Sequence, residues 1–419
     1  MTLGWALSDL LTTLFERRLD RAVSGSTEPL PEMCRALLSG RGEVSGMKLA
    51  QQVLARYQAG STEERISFFT LLAEEMDVDP EKVAEAARVY AENPDASNLE
   101  ALLEVAEPPR QELLRRLNQA PDGTAALVSM RVDLMRAAKV NPSLERVDLD
   151  FCHLFASWFN RGFLVLRRIT WESPANILEK IIQYEAVHEI HSWADLRLRL
   201  EPPDRRLFAF FHPAMPDDPL IFVEVALTQG VPGAIGPILT QDRSPLPPQN
   251  ADTAVFYSIS NCQSGLRGIY FGNSLIKQVV EVLARDVPGL SRFVTLSPIP
   301  GLADWLHDQE SAASLLGTES PDPEKLRKLA AQYLLNAKSK DGQPRDPVAR
   351  FHLGNGALVH DIHAGADLSP KGMKQSCGAM VNYLYEIARV ETNHEAYAHS
   401  RSVAASKSVQ ALAKKPRGK

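Results

Sequence analysis

Through residue 147, apolar positions recur at helical spacing. ERISFFTLLAEEM (64–76) and EKVAEAARVYAE (81–92) each carry such a stripe, and breakers at Asn93-Pro94, Pro108-Pro109 and Asn141-Pro142 separate one helical segment from the next. The segments share no fixed period, so a bundle is expected here and not a repeat array. From about residue 148 the pattern changes. FLVLRRITW (163–171), RLFAFFHP (206–213), LIFVEVALT (220–228), AVFYSIS (254–260) and RFVTLS (292–297) are β-branched or aromatic runs bounded by Pro, Gly and Asp, the mark of strands. Helical stretches alternate with them, NILEKIIQYEAV (176–187) and NSLIKQVVEVLARDV (273–287). The Pro- and Gly-rich stretch 230–250 reads as a long surface loop, and residues 303–340 as a further helical interruption. The expected fold class is α+β: an all-helical N-terminal domain over 1–147, then a mixed α/β domain over 148–419.

Length agrees with that division, since 419 residues exceed what one compact core serves. The composition, 44% hydrophobic and 23% charged, is that of an ordinary globular protein. The net charge of -6 comes from interspersed acids and bases, which argues against nucleic acid as a partner. No apolar run reaches bilayer length, so no membrane span is expected. The first residues, MTLGWALSDLLTTLFERRLDRAV, include Asp9 and Glu16 and lack a basic start, and read as a packed helix instead of a secretion signal. Cys34, Cys152, Cys262 and Cys377 form no CxxC pair, and no lipidation or SKL-type address closes the chain. Together these point to a reduced, cytoplasmic setting.

The richest local signal is a succession of strand, glycine turn and helix: AVFYSIS, NCQSGLRGIYFGNS, LIKQVVEVLARDV. Backbone N–H groups freed at such a turn and at a helix start suit a pyrophosphate. A plain strand-to-helix turn reads the same residues without a ligand. His188 and His191 in VHEIHSW are three apart, whereas a zincin helix needs its histidines four apart, and no metal site is expected. GNGALV (354–359) misses the third glycine of the dinucleotide fingerprint, and no G-x-S-x-G elbow occurs. What is left is Ser297, held before Pro298-Ile299-Pro300, together with His352 and the pair His360 and His363. Each alone reads as a packed or strand-end residue.

The run Arg267, Gly268, Ile269, Tyr270, Phe271, Gly272, Asn273 resembles the acyl-CoA-binding signature of the GNAT (N-acetyltransferase) fold, with Tyr270 replacing its middle glycine. The ordered set PDDPLIFVEVALT, AVFYSIS, SGLRGIYFGNSLIKQVV, LSPIPG, FHLGNGALV and SCGAMVNYLY resembles the malonyl-CoA decarboxylase family over roughly 150–400, and more loosely through the helical half. LSPIPG and FHLxNGA together carry the resemblance. It implies an acetyltransferase-like catalytic domain, with the helical domain serving a homo-oligomer, dimer or tetramer. It further implies Ser297, His352 and Tyr385 as catalytic residues and Arg267 through Asn273 as the pyrophosphate loop. The substrate would be malonyl-CoA, whose coenzyme A is part of the substrate, and no separate cofactor is implied. In animal members a glutamate stands at the place of Tyr270, so that carboxylate's role does not transfer. An acyl-CoA-dependent N-acyltransferase and a non-catalytic acyl-CoA sensor are the alternatives the same loop allows.

Overall fold

The computed structural model describes residues 28–39, 43–269, 271, 275–318 and 321–414. Contacts divide the chain into two compact units. One runs through Asn160 and takes in Gln263–Tyr270; the other comprises Arg161–Cys262 and Phe271–Lys419. The helix Glu145–Trp158 therefore crosses the expected boundary at 147.

In the first unit, side-chain caps and prolines start several of the helices. Ser61 and Glu64 form a reciprocal capping box at the head of Thr62–Glu74, and Asp79 caps Pro80–Glu92 with proline at its first position. Leu37, Leu54, Phe69, Leu72, Leu113, Leu117, Leu127 and Phe155 are buried to form its core. Pro80–Glu92 and Ala96–Ala106 bury no residue at all, and Leu99 and Leu103 stand exposed.

A buried cation fixes the segment that this unit takes from later in the chain. Arg131, on the helix Gly123–Ala138, pairs with Asp148 at 2.7 Å and donates to the carbonyls of Gly265 at 2.7 Å and Arg267 at 2.9 Å. Gly265 has no alternative here, because a Cβ would lie 1.9 Å from the carbonyl oxygen of Val128.

The second unit is built on an eight-stranded sheet: β1 (Val165–Ile169), β2 (Arg205–Phe211), β3 (Ile221–Thr228), β4 (Thr253–Asn261), β5 (Arg292–Thr295), β6 (Ser297–Pro298), β7 (Leu358–His363) and β8 (Met380–Leu384). Strands β1 to β5 follow in sequence order, and β8 pairs with β5, β6 and β7. Every pairing is antiparallel except β4 with β5. One face sets Phe208, Phe210, Val223, Val225 and Phe256 against the helix Leu275–Asp286, through Ile276, Val279 and Leu283. The other sets Leu207, Ala209, Phe211 and Phe222 against Ile177, Leu178 and Ile181 of the helix Ala175–Tyr184. With both faces covered, the central strands read as continuous apolar runs, which is why they were legible.

Two irregularities shape the end of the sheet that carries Thr295 and Ser297. The β3–β4 register slips between Glu224 and Val225, so Tyr257 is the extra residue of a bulge. Pairing of β4 with β5 ends at Phe256↔Thr295 while β4 continues to Asn261. The run expected as one strand over 292–297 is accordingly two. Leu296 still donates to the carbonyl of Phe256 at 3.0 Å, but Ser297 and Pro298 pair with Val381 and Met380 of β8.

The clamp on residues 265–267 is open to a direct test. Arg131→Met strands Asp148 and two carbonyls, and the expected loss is about 3 kcal/mol in urea unfolding, with faster amide exchange across 264–269. Unchanged stability and exchange would mean that Arg131 does not hold the turn.

Candidate active site

Ser297 lies where the chain leaves β4 for β8. It forms half of a two-residue strand whose other half, Pro298, has no N–H to give and so suits a short edge. Ser297 is 6% exposed, and its register partner Val381 belongs to the same core cluster as Phe256.

His352 comes from the helix Pro347–Gly354, which Asp346 caps by accepting from the Ala349 N–H at 2.8 Å. The FHLGNGA segment owes its shape to the way this helix ends. Asn355 donates to the Phe351 carbonyl at 2.7 Å. Gly356 sits at φ 81°, and a Cβ there would lie 2.2 Å from the Val390 carbonyl oxygen, so only glycine fits. The turn releases the chain into β7 two residues after Gly356.

Tyr383 and Tyr385 alternate along β8 and just past its end, so both reach the same face. The Tyr383 ring stacks on the His352 imidazole at 4.6 Å between centroids, and Phe351 meets it edge-on at 5.1 Å. A continuous hydrogen-bonded line crosses this aromatic box. The Tyr385 hydroxyl lies 2.8 Å from His352 Nδ1, His352 Nε2 lies 3.2 Å from Ser297 Oγ, and Ser297 Oγ donates to Thr295 Oγ1 at 2.8 Å.

Burial decides the charge state of this line. His352 is near a helix C-terminus, where the dipole favours imidazolium, yet desolvation outweighs it and pushes His352 down to about 3. Desolvation also pushes the Tyr385 phenol up. Burial therefore holds the His352 imidazole neutral through the range in which an ordinary histidine titrates. The unfolded chain takes this proton near 6.5 and the folded chain only near 3, so folding weakens as pH falls through that window.

A second buried polar cluster stands on the other face of the sheet. Glu185 accepts from Ser258 Oγ at 2.8 Å and from the N–H groups of Val187 and His188 at 2.8 Å each, while Glu224 pairs with Arg199 at 2.9 Å. Desolvation and the charge of Glu224 push Glu185 up to about 7, and desolvation pushes His188 down to about 4. His191 is exposed. Among the described residues no group of His, Cys, Asp or Glu is arranged to hold a metal ion, and no helix is long and apolar enough to cross a membrane.

Of the candidates read from the sequence, Ser297, His352 and Tyr385 come together in one constellation. Arg267 and Gly268 belong to the turn that groups with the first unit: Gly268 is exposed and adopts φ 81°, and Ile269 is buried. Phe271 packs at the margin of the second unit's core. Tyr270, Gly272 and Asn273 lie outside the described residues. His363 Nε2 donates to Asn382 Oδ1 at 2.5 Å, and Asn382 Nδ2 in turn donates to the Thr295 carbonyl at 2.8 Å. Sequence reasoning missed Thr295, Asn382 and Tyr383. The alternation in NYLY carried a usable signal for Tyr383, whereas nothing local marks Thr295.

Known proteins resemble the chain over nearly all of its length. The family model described as malonyl-CoA decarboxylase C-terminal domain matches residues 162–326 and 318–419, and the corresponding N-terminal domain model matches 76–159. The malonyl-CoA decarboxylase structure from Rhodopseudomonas palustris is 50% identical, covers 91% of this chain and 98% of its own, and superposes with a TM-score of 0.86. That from Agrobacterium vitis is 48% identical over 93% of this chain and 100% of its own, with a TM-score of 0.87. Among curated proteins, the mitochondrial malonyl-CoA decarboxylase of Anser anser anser is 34% identical over 407 residues, 84% of this chain and 80% of its own length. The chain belongs to the malonyl-CoA decarboxylase family.

Proposed function

We propose that this protein decarboxylates malonyl-CoA to acetyl-CoA and CO2, with Ser297, His352 and Tyr385 as its catalytic residues. One observation carries the reading: the residues at the motif positions LSPIPG, FHLxNGA and NYxY converge into a single buried hydrogen-bonded line. Loss of CO2 from a malonyl thioester leaves an electron pair shared between the α-carbon and the thioester oxygen. The site has to keep water from the departing carboxylate, aim donors at the enolate, and deliver one proton to carbon. The thioester itself is the electron sink, so the step needs no further prosthetic group.

Ser297 Oγ engages the malonyl group beside the departing carboxylate, its position set by the Pro298-Ile299-Pro300 turn. His352 donates its Nε2 proton to the α-carbon. A thioester enolate is a much stronger base than imidazolate or phenolate, so a neutral imidazole is a competent donor. As Nε2 gives up its proton, Nδ1 takes that of Tyr385, and one solvent proton per turnover restores the phenol. The stoichiometry is malonyl-CoA plus one proton to acetyl-CoA plus CO2. The coenzyme pyrophosphate falls to the turn carrying Arg267 and Gly268, through backbone N–H groups and a guanidinium. The exposed Leu99 and Leu103 of the first unit support self-association through the helical domain.

Removing either end of the central pair should stop the chemistry. Ser297→Ala and His352→Asn are each expected to lower kcat for CO2 release by at least ~100-fold with the fold retained by circular dichroism. Parent-like rates in both variants would dismiss the assignment. Because burial keeps the free imidazole neutral, the pH profile of kcat/KM should carry no step near 6.5, the ordinary histidine value; a step there that vanishes in His352→Asn would contradict it. Gly268→Val forces a β-branched residue into a left-handed turn and should raise KM for malonyl-CoA about 10-fold or more while kcat changes little. An unaltered KM would move the coenzyme elsewhere.

A further inference from the structure

We infer that Thr295 is a positioning residue that sets which nitrogen of His352 carries the proton. Thr295 is fully buried at the end of β5, where pairing with β4 stops. Its Oγ1 accepts two hydrogen bonds, from the Tyr383 backbone N–H at 3.1 Å and from the Ser297 hydroxyl at 2.8 Å. The first donor cannot reverse its direction, and the second spends the single hydrogen of Ser297.

With its hydrogen given to Thr295, Ser297 Oγ faces His352 Nε2 as an acceptor at 3.2 Å, and a neutral imidazole must then carry its hydrogen on Nε2. Nδ1 is left with a lone pair that accepts from Tyr385 at 2.8 Å. The far end agrees independently: among the described residues the Tyr385 hydroxyl bonds only to Nδ1, so its hydrogen has that nitrogen as its acceptor. Were the hydrogen on Nδ1 instead, the buried phenol would have no acceptor for its own. The carbonyl of Thr295 is itself fixed, accepting from Asn382 Nδ2 at 2.8 Å, so the residue is held at both its polar atoms beyond the strand ladder.

Without the Thr295 acceptor, the Ser297 hydroxyl turns its hydrogen onto Nε2. His352 then keeps its proton on Nδ1 and has none to offer on the side of Ser297. Thr295→Val has nearly the same shape and removes only the acceptor, and Thr295→Ser restores it.

The test reads the tautomer directly and the chemistry separately. Nitrogen-15 spectra of histidine-labelled protein, with the His352 signals assigned by their loss in His352→Asn, should show the Nε2–H tautomer in the parent and in Thr295→Ser, and a shift towards Nδ1–H in Thr295→Val. Turnover of malonyl-CoA should show kcat down about 10-fold or more in Thr295→Val, most of it regained in Thr295→Ser, with acetyl-CoA affinity unchanged in both. A parent spectrum with the proton on Nδ1 overturns the inference without reference to any variant, as does a Thr295→Val protein whose tautomer and kcat match the parent's. The turnover arm rests on the decarboxylase reading and the spectra do not. A parent that releases no CO2 would sink that reading while the spectra still judge Thr295.

Discussion

The second unit turns on the burial of one imidazole. His352 is 3% exposed, stacked on Tyr383, flanked by Phe351, and bonded at both ring nitrogens. Water would hydrogen-bond the ring in any orientation and let it titrate near neutrality. The aromatic box removes the water, holds the ring neutral, and leaves just two groups to decide where its single proton lies. The surrounding architecture serves this arrangement. A helix stopped by Gly356 brings the histidine, a strand with tyrosines two apart brings its stacking and bonding partners, and a two-residue edge strand brings the serine.

The sheet supplies the rigidity that so short a line of contacts needs. Strand β4 is shared: it pairs in parallel with β5 as far as Phe256↔Thr295, then continues alone against β3. Thr295 and Ser297 stand directly at the point of departure, so a topological feature of the backbone fixes the register of the Ser297 hydroxyl. The opposite face holds its own buried polar network, in which Ser258 of β4 donates to Glu185 and Arg199 pairs with Glu224 of β3 beside the bulge. In the first unit, Arg131 does comparable work on the turn that carries Arg267, using a single guanidinium to satisfy two carbonyls and one carboxylate.

Much of this was legible in the sequence, for identifiable reasons. Strands buried on both faces are long apolar runs, and β1 to β4 were found close to their observed bounds. The helical half declared itself through apolar stripes at helical spacing and breakers such as Asn93-Pro94, Pro108-Pro109 and Asn141-Pro142. Strands β7 and β8 were missed as elements because their neighbourhoods, GNGALV and SCGAMVNYLY, carry glycine and read as turns. Their pairing with each other is a long-range choice no local pattern states. RFVTLS hid a break, since its alternation is continuous and only the competition between β4 and β8 for hydrogen bonds divides it. Ser297, His352 and Tyr385 were reached through motif resemblance, not through physics, because a serine in an apolar run and a histidine in a short helix have no activating neighbour in sequence. Thr295 could be recognised only once the chain had folded, its role lying wholly in what its oxygen accepts.

Protonation, by this buried line, of an enolate left by departing CO2 is tested most directly by turnover of malonyl-CoA in heavy water, with both products followed by mass spectrometry. The expected result is equimolar CO2 and acetyl-CoA carrying one deuterium on its methyl carbon, with neither product formed by the Ser297→Ala protein. Malonyl-CoA recovered intact, or its acyl group moved to an amine without release of CO2, would contradict the account.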